Sequence, residues 1–366
     1  MTEIYLTIFF ISLLLFLLGS GVWVGLSMIT VSAIGMLLFT TRPVGDAMAT
    51  TIWGTSSSWT LTALPLFVWM GEILFRTKLS ENLFKGLSPW LSKLPGGLVH
   101  VNVVGCALFA AISGSSAATV ATVGKMSIPE LRKRKYPEKL LLGSLAGSGT
   151  LGLLIPPSII LIIYGVTIED SIAKLFMAGI LPGIMIALMF MLYVILWSIL
   201  NKRLMPKSNE SFSFLEKIQG SKQLLPVIFL ITAVISSIYT GIATATEAAS
   251  LGVVGALILS FFQGTLNRET FKLSLLGATK TSCMIAFILA GSTFLSLAMG
   301  FTGLPRNLAI WIDAMNLSPY TLLFVLTIFY IILGMFLDGI SAVVLTMAII
   351  EPMIRQAGFD MIWFGI

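Results

Sequence analysis

The amino-acid sequence predicts an all-α polytopic membrane protein from three observations: its composition, its long apolar runs, and two apolar segments that small polar residues interrupt. Of its 366 residues, 57% are apolar and 10% are charged, and the mean hydropathy is +1.00. A soluble domain is about 45–50% apolar and about 25% charged, so this chain lacks the polar residues that would cover a soluble core. The composition excludes a soluble enzyme, a nucleic-acid-binding domain and a disordered protein.

Apolar runs that approach the roughly 20 residues needed to cross a bilayer predict the membrane spans. They are Ile4–Leu18, Val22–Phe39, Thr51–Phe75, Leu140–Val166, Leu175–Leu200, Leu225–Tyr239, Thr246–Phe262, Lys280–Met299 and Tyr320–Leu337. Lysine and arginine cluster at 76–93, 132–135, 202–222 and 268–280. All four clusters can be cytoplasmic if the N-terminus lies outside. The alternative is that they are ordinary solvated loop charges without topological bias.

Two interruptions of apolar sequence do not fit simple spans. They are SGSS at 113–116 and DGIS at 338–341. Irregular backbone at membrane depth persists only where it is buried in protein or lines a wet cavity. We therefore expect two re-entrant helical hairpins, at about 101–128 and about 320–355, with their tips near the midplane.

The two interruptions also indicate an internal repeat. The pattern G-x-S-A occurs at 114–117 and again at 339–342, a shift of 225 positions. The charge argument gives the two copies opposite orientations, and inverted repeats with discontinuous helices are typical of secondary transporters. Chance matching of short motifs is the alternative. The predicted parts are a first repeat at 1–220 with its linking span at 175–200, and an incomplete second repeat at 221–366 with its amphipathic arm at about 303–318.

The segment at about 140–166 should be a broken helix. Three glycines within 147–152 and the pair Pro156-Pro157 interrupt it. Proline removes a backbone donor and glycine weakens a helix, so we expect two half-helices joined by unwound chain. Under the shift of the repeat, the counterpart of this segment would fall beyond Ile366, so we expect the sequence to be truncated at its C-terminal end.

Unwound chain beside a hairpin tip can bind ions. It presents free carbonyl oxygens, and Ser115, Ser116 and Thr150 add hydroxyl groups. Clustered oxygen ligands suit a hard cation such as Na+, whereas the N-termini of half-helices suit a carboxylate. The residues expected to contact a substrate are Thr150, Ser116 and Pro156. The alternative for such Gly/Ser runs is close helix packing through small residues.

The sequence shows no catalytic set. Its serines lack a histidine or lysine base in matching context, and the single histidine, His100, argues against a histidine-based metal site. Cys106 and Cys283 both lie in apolar runs, so we expect no disulfide framework. These observations predict a protein that is not an enzyme and that has no organic cofactor.

Three acidic residues lie in or beside predicted membrane segments. Glu72 precedes Arg76 by four positions, which favours an ion pair over a proton relay. Glu247 at the start of a span suits a helix N-terminus. Asp338, at the second predicted tip, has either a direct role in binding or a capping role at a half-helix.

Three motifs follow one another through the first half of the chain: GSSAAT at 114–119, LRKRKY at 131–136 and GTLGLLIPPS at 149–158. With TEAASLG at 246–252 and GMFLDGIS at 334–341, they resemble the large membrane subunit of tripartite ATP-independent periplasmic (TRAP) transporters. The resemblance implies an elevator-type fold like that of the ion transporter superfamily, in the bacterial cytoplasmic (inner) membrane. With the charge argument, it implies a periplasmic N-terminus.

The resemblance further implies Na+-driven uptake of a small organic acid, such as a C4-dicarboxylate or a sialic acid. The acid would come from a periplasmic substrate-binding protein, and a small four-helix membrane subunit would be the second partner. A stand-alone Na+/anion symporter without a binding protein is the alternative.

The cation ligands are also implied by the resemblance. In the first half of the chain they would be Ser113, Gly114, Ser115 and Ser116 at the hairpin tip, with Gly152, Ile155 and Pro157 in the break. Asp338, Gly339 and Ser341 would supply part of a second Na+ site. Its remaining ligands should lie in a second PP-containing break, which this sequence lacks.

Overall fold

The computed structural model describes residues 2–77, 79–206, 213–222, 224–303, 318–335, 337 and 339–366. Within these ranges the regular structure is helical and contains no strand. The α-helices of these ranges are α1 (Thr2–Gly19), α2 (Val24–Phe39), α3 (Val44–Ser56), α4 (Ala63–Phe75), α5 (Leu79–Leu91), α6 (His100–Ser113), α7 (Ser116–Lys133), α8 (Glu138–Gly149), α9 (Ile159–Thr167), α10 (Ile172–Leu200), α11 (Phe214–Lys222), α12 (Leu225–Tyr239), α13 (Ala245–Phe262), α14 (Arg268–Thr302), α15 (Pro319–Gly334), α16 (Gly339–Gln356) and α17 (Met361–Gly365).

Several of these helices can cross a membrane. Among the described residues, α10, α13 and α14 are each long and apolar enough to do so alone. Counting each of three bent helix pairs as one span raises the number of candidate spans in this part of the chain to six. The prediction of an all-α polytopic membrane protein is confirmed at this level.

The predicted span at 51–75 is interrupted, although its two helices together still qualify as one candidate span. Helix α3 ends at Ser56, a 3-10 turn covers Trp59–Thr62, and α4 begins at Ala63. The run of hydroxyl residues at 55–58 explains the break, because such side chains compete with the backbone for hydrogen bonds. Pro65 is the third residue of α4, where a helix has no use for the missing N–H.

Helix α14 is longer than the predicted span at 280–299. It has 35 residues and begins at Arg268. The charged residues of its first turns indicated a loop in the sequence. Lysine, arginine and glutamate are nevertheless good helix formers, so the helix extends beyond its apolar part.

The predicted broken helix is confirmed. Helix α8 ends at Gly149, a 3-10 turn covers Thr150–Leu153, and α9 begins at Ile159. The peptide bond between Pro156 and Pro157 is cis. The chain between the two half-helices is unwound, as the glycines and prolines predict.

Both predicted hairpins fold back on themselves. A methyl group placed on Gly105 of α6 would lie 3.7 Å from Val123 Cγ1 of α7. In the second hairpin, the hydroxyl groups of Tyr330 (α15) and Thr346 (α16) lie 2.7 Å apart. In each case the two contacting residues are about equally far along the chain from the tip. Two adjacent helices that meet in this way form a helical hairpin.

The order of helices is compatible with the predicted repeat. Under the shift of 225 positions, α1 and α2 correspond to α12 and α13, and α6 and α7 correspond to α15 and α16. The bent pair α3 and α4 corresponds to the single helix α14. The second arm, predicted at 303–318, falls almost wholly outside the described residues. The inverted relation of the repeats stays a prediction.

The chain forms two compact units. The first contains Met1–Leu61, Ile163–Asp170 and Ser282–Gly365. The second contains Thr62–Ile162, Ser171–Thr281 and Ile366. Each unit thus combines segments from both predicted repeats.

Each unit has its own apolar contacts. In the second unit, Leu98, Val101, Leu141 and Val194 belong to one buried cluster. In the first unit, helices α2 and α14 cross closely, because a methyl group on Gly291 would lie only 2.7 Å from the carbonyl oxygen of Gly25. Small residues allow helix backbones in a membrane to approach in this way.

Candidate functional site

The tip of the first hairpin lies against the unwound chain of the broken helix. Gly114, between α6 and α7, has a left-handed φ of 57°. A methyl group on it would lie 3.0 Å from the backbone nitrogen of Ile159 and 3.1 Å from the carbonyl oxygen of Pro157. A side chain here would therefore be strained and would also press on backbone atoms. The tip fits the break because this residue is glycine.

Gly152, in the 3-10 turn of the break, makes a similarly close contact with the hairpin tip. A methyl group on Gly152 would lie 3.3 Å from the carbonyl carbon of Ser115 and 3.3 Å from the nitrogen of Ser116. The 3-10 turn of the break therefore packs on the Ser115–Ser116 peptide. The structure thus brings together two of the sequence-predicted segments, the tip at 114–116 and the break at 152–157.

Both oxygens of Ser115 accept hydrogen bonds from the first turn of α7. Its hydroxyl oxygen accepts a hydrogen bond from the N–H of Ala118 at 3.4 Å. Its carbonyl oxygen accepts from the N–H of Thr119 at 3.0 Å and from the Thr119 hydroxyl at 2.8 Å. Ser115 is therefore the N-cap of α7. Its oxygens are oriented by the helix rather than left free.

The carbonyl groups of the break are different. In the described part of the chain, no backbone N–H donates to the carbonyl oxygens of Ile155, Pro156 or Pro157. Both prolines are buried. A buried carbonyl without a donor is costly in a membrane protein unless water or a cation satisfies it. The break can therefore offer oxygen ligands to a cation.

The same place also offers positive dipole ends. Helix α7 begins at Ser116 and α9 begins at Ile159, and the Gly114 contact shows that these two starts are neighbours. The first N–H groups of a helix have no partner within the helix. Two neighbouring helix N-termini favour an anionic group. The tip and the break thus place unpaired carbonyl oxygens and helix N-termini side by side, and binding of Na+ or of substrate there stays a prediction.

The structure says less about the role of the other predicted site residues. Ser113 ends α6, and its side chain is outside the described atoms. Ser116 and Ile155 are half-buried. Thr150 is exposed, and its hydroxyl donates to the carbonyl oxygen of Gly147 at 2.7 Å. Contact of these residues with Na+ or with substrate stays a prediction.

The predicted second cation site is only partly visible. Gly339 and Ser341 lie in the first turn of α16, and Ser341 is buried. Asp338 lies outside the described residues. The second Na+ site therefore stays a prediction.

Comparison with known proteins decides the family. A family model described as tripartite ATP-independent periplasmic transporter, DctM component, matches residues 10–366. The chain belongs to the DctM family. It is 32% identical over 335 residues to the C4-dicarboxylate TRAP transporter large permease protein DctM of Pseudomonas aeruginosa, covering 91% of this chain and 78% of that protein.

Other relatives of the DctM family are similar over most of the chain. The sialic acid TRAP transporter large permease protein SiaM of Vibrio cholerae is 31% identical over 357 residues, which are 96% of this chain and 81% of that protein. The isethionate TRAP transporter permease protein DctMQ of Oleidesulfovibrio alaskensis is 30% identical over 325 residues, which are 88% of this chain and 50% of that protein. DctM proteins are multi-pass permeases of the inner membrane rather than enzymes.

Two predictions about acidic residues of this DctM chain are confirmed. Glu72 and Arg76 form an ion pair with 3.1 Å between Oε2 and Nη2, and Arg76 also donates to the carbonyl oxygen of Leu273. Glu247 closes a capping box with Thr244 at the N-terminus of α13. Both carboxylates therefore have structural partners.

Sequence reasoning missed a polar cavity of about 700 Å³ in the first unit. Its hydroxyl groups come from α3, from the segment at 58–60 that follows it, from 165–170 and from α14, and Glu169, Asp170 and Glu351 add carboxylates. These segments are far apart in sequence. The available signal was the hydroxyl-rich composition of α3, with Thr50, Thr51 and Thr55. No lysine or arginine is among its described lining residues, but Glu351 forms an ion pair with Arg355 at 2.8 Å.

Proposed function

We propose that this protein is the large permease of a Na+-coupled secondary transporter that takes up a small organic acid. The observation that carries the proposal is the contact of Gly114 with the backbone of Pro157 and Ile159. It joins a hairpin tip to an unwound segment inside one compact unit. Membrane transporters use such discontinuous helices to bind substrates and coupling ions.

The coupling ion would bind to main-chain oxygens of the break. The carbonyl groups of Ile155 and Pro157 receive no backbone donor in the part of the chain described here. Hard cations prefer oxygen ligands of this kind. Na+ is proposed because uptake against a gradient needs a coupling ion, and the site offers neutral oxygens rather than soft sulfur or imidazole ligands.

The substrate would be a small organic acid with a carboxylate, such as a C4-dicarboxylate or a sialic acid. Relatives carry both substrates in their names. The neighbouring N-termini of α7 and α9 would attract the carboxylate. Ser116, Thr150 and Pro156 remain the proposed substrate contacts.

The partners would be a periplasmic substrate-binding protein and a small four-helix membrane subunit. The family description names a tripartite periplasmic transporter. The relative named DctMQ is about twice the length of the matched region, since this chain covers 50% of it. We propose that the binding protein delivers the acid and that an elevator movement carries the hairpin site across the membrane.

Reconstituted uptake tests this proposal. The full-length permease, its membrane partner and the binding protein are placed in proteoliposomes, and uptake of radiolabelled succinate and N-acetylneuraminate is followed. We expect uptake only with an inward Na+ gradient and only with the binding protein present. Equal uptake in K+ would contradict Na+ coupling. Full-rate uptake of free substrate without the binding protein would instead indicate a stand-alone Na+/anion symporter.

A further inference from the structure

A second cavity lies in the second unit and shares no residue with the hairpin-tip site. Its volume is about 890 Å³. It is lined by the turn at 92–97 after α5, by Tyr136, and by the end of α10 with the residues that follow, at 198–206. Nothing in the proposed transport cycle uses it.

Two buried hydroxyl groups that line this cavity lack partners. Ser92 and Ser198 are 6% and 4% exposed, and within the described residues neither Oγ has a hydrogen-bond partner. A serine in a helix usually donates to the carbonyl oxygen four residues earlier, as Ser88 does to Phe84 at 2.6 Å. Leaving a buried hydroxyl unpaired is costly. Each hydroxyl therefore keeps an unused donor beside the cavity.

The turn beside this cavity packs closely on α6 and α10 because two of its residues are glycine. Gly96 has a φ of 104° and Gly97 a φ of 52°, both in the left-handed region. A methyl group on Gly96 would lie 3.2 Å from Ser198 Oγ. The same methyl group would lie 2.6 Å from Val194 Cγ1 and 3.0 Å from His100 Nε2, so only glycine lets the backbone of the turn lie this close to Ser198.

The charge of the cavity selects the acceptor. Lys93 and Lys202 line it, and no acidic residue is among the described residues that do so. Two ammonium groups and two unpaired hydroxyl donors suit an anion with several oxygens, such as a phosphate. A phosphodiester adds two ester oxygens to its two anionic oxygens, whereas a carboxylate has two oxygens in all.

The position of the cavity along α10 indicates that the phosphate belongs to a lipid rather than to a soluble molecule. Helix α10 has 29 residues and is about 43 Å long, whereas the hydrocarbon core is about 30 Å thick. A helix of this length that spans the core extends beyond it, so we expect the end that carries Ser198 to lie at the level of the lipid headgroups. The nearby side chains of Leu200 and Leu204 are 82% and 58% exposed, and Ile199 lines the cavity itself.

We propose that this cavity binds the phosphodiester headgroup of an anionic phospholipid, with the acyl chains lying along the exposed apolar end of α10. Lys93 and Lys202 neutralise the phosphate, and Ser92 and Ser198 donate to its oxygens. Basic pockets between membrane helices on the cytoplasmic side bind lipid headgroups in this manner. The proposal does not depend on Na+ coupling or on the substrate.

Native mass spectrometry of the full chain in detergent tests the proposal. Phosphatidylglycerol, phosphatidylcholine and glycerol 3-phosphate are titrated separately. We expect phosphatidylglycerol to be retained and the other two to bind at least about tenfold more weakly. The Lys93→Gln/Lys202→Gln variant should bind phosphatidylglycerol about thirtyfold more weakly. The control Lys222→Gln/Lys272→Gln removes the same charge from exposed positions and should bind as the wild type does.

A single hydroxyl provides the second arm of the test. Ser198→Ala should weaken phosphatidylglycerol binding severalfold without lowering the unfolding temperature of the delipidated protein, because that hydroxyl has no protein partner to lose. Wild-type binding by both the lysine variant and Ser198→Ala would overturn the proposal. Binding of glycerol 3-phosphate as tight as that of the lipid would also overturn it, by assigning the cavity to a soluble phosphate.

Discussion

Gly114→Ala is expected to abolish Na+-driven uptake. The residue has a φ of 57°, and an L-residue in this region costs about 1–2 kcal/mol. Its new methyl group would also press on the Ile159 nitrogen and the Pro157 oxygen, at 3.0 Å and 3.1 Å. The tip and the break would have to separate, and the oxygens proposed to hold Na+ would move with them. We expect uptake in proteoliposomes to fall at least about tenfold.

Gly143→Ala is the matched control for this change. Gly143 lies in α8, and a methyl group on it would meet no atom within 4 Å. It adds the same single carbon to the first half of the broken helix, so we expect wild-type uptake. Wild-type uptake by Gly114→Ala, with unchanged dependence on Na+, would mean that the close fit of tip and break has no role in transport.

Gly291→Ala is expected to destabilise the first unit. Its methyl group would lie 2.7 Å from the carbonyl oxygen of Gly25 and 3.2 Å from Met28 Cβ. The contact is with backbone and cannot be relieved by turning a side chain, so α2 and α14 would have to move apart. Overpacking of this kind costs about 1–3 kcal/mol. The measurement is thermal unfolding of the purified protein in detergent.

Gly300→Ala is a control variant that should not lower the unfolding temperature. Gly300 lies in the same helix, and a methyl group there would meet nothing within 4 Å. Alanine is favoured over glycine inside a helix by about 1 kcal/mol, so this variant should unfold at the same temperature as the wild type or higher. Equal unfolding temperatures for the Gly291 and Gly300 variants would rule out a close crossing of α2 and α14.

Local sequence patterns predicted the breaks in the helices well. The Pro156-Pro157 pair and the tip residues at 113–116 act on their own backbone, so their effect can be derived without tertiary structure. The same holds for the ion pair of Glu72 with Arg76, which needs only the spacing of a helix. The break after α3 was missed because a run of hydroxyl residues is a weaker helix breaker than proline or glycine.

Contacts between distant segments could not be derived from the sequence. Gly25 and Gly291 each lie in an ordinary apolar helix, and neither shows which helix it will cross. The cavity proposed to bind a lipid headgroup likewise combines Lys93, Tyr136 and Ser198 from three separate segments. The sequence does not show which distant segments will meet, because their contacts depend on how the helices pack.

Thermal unfolding in matched salts tests the central claim, which is that the first tip and the break together bind Na+. A cation at about ten times its dissociation constant stabilises the folded protein by about 1.4 kcal/mol. We predict that NaCl raises the unfolding temperature of the wild type and of Gly143→Ala above that in KCl at equal ionic strength. Gly152→Ala, whose methyl group would lie 3.3 Å from the Ser115–Ser116 peptide, should lose this difference. Identical unfolding of the wild type in NaCl and KCl, up to molar concentrations, would contradict the account.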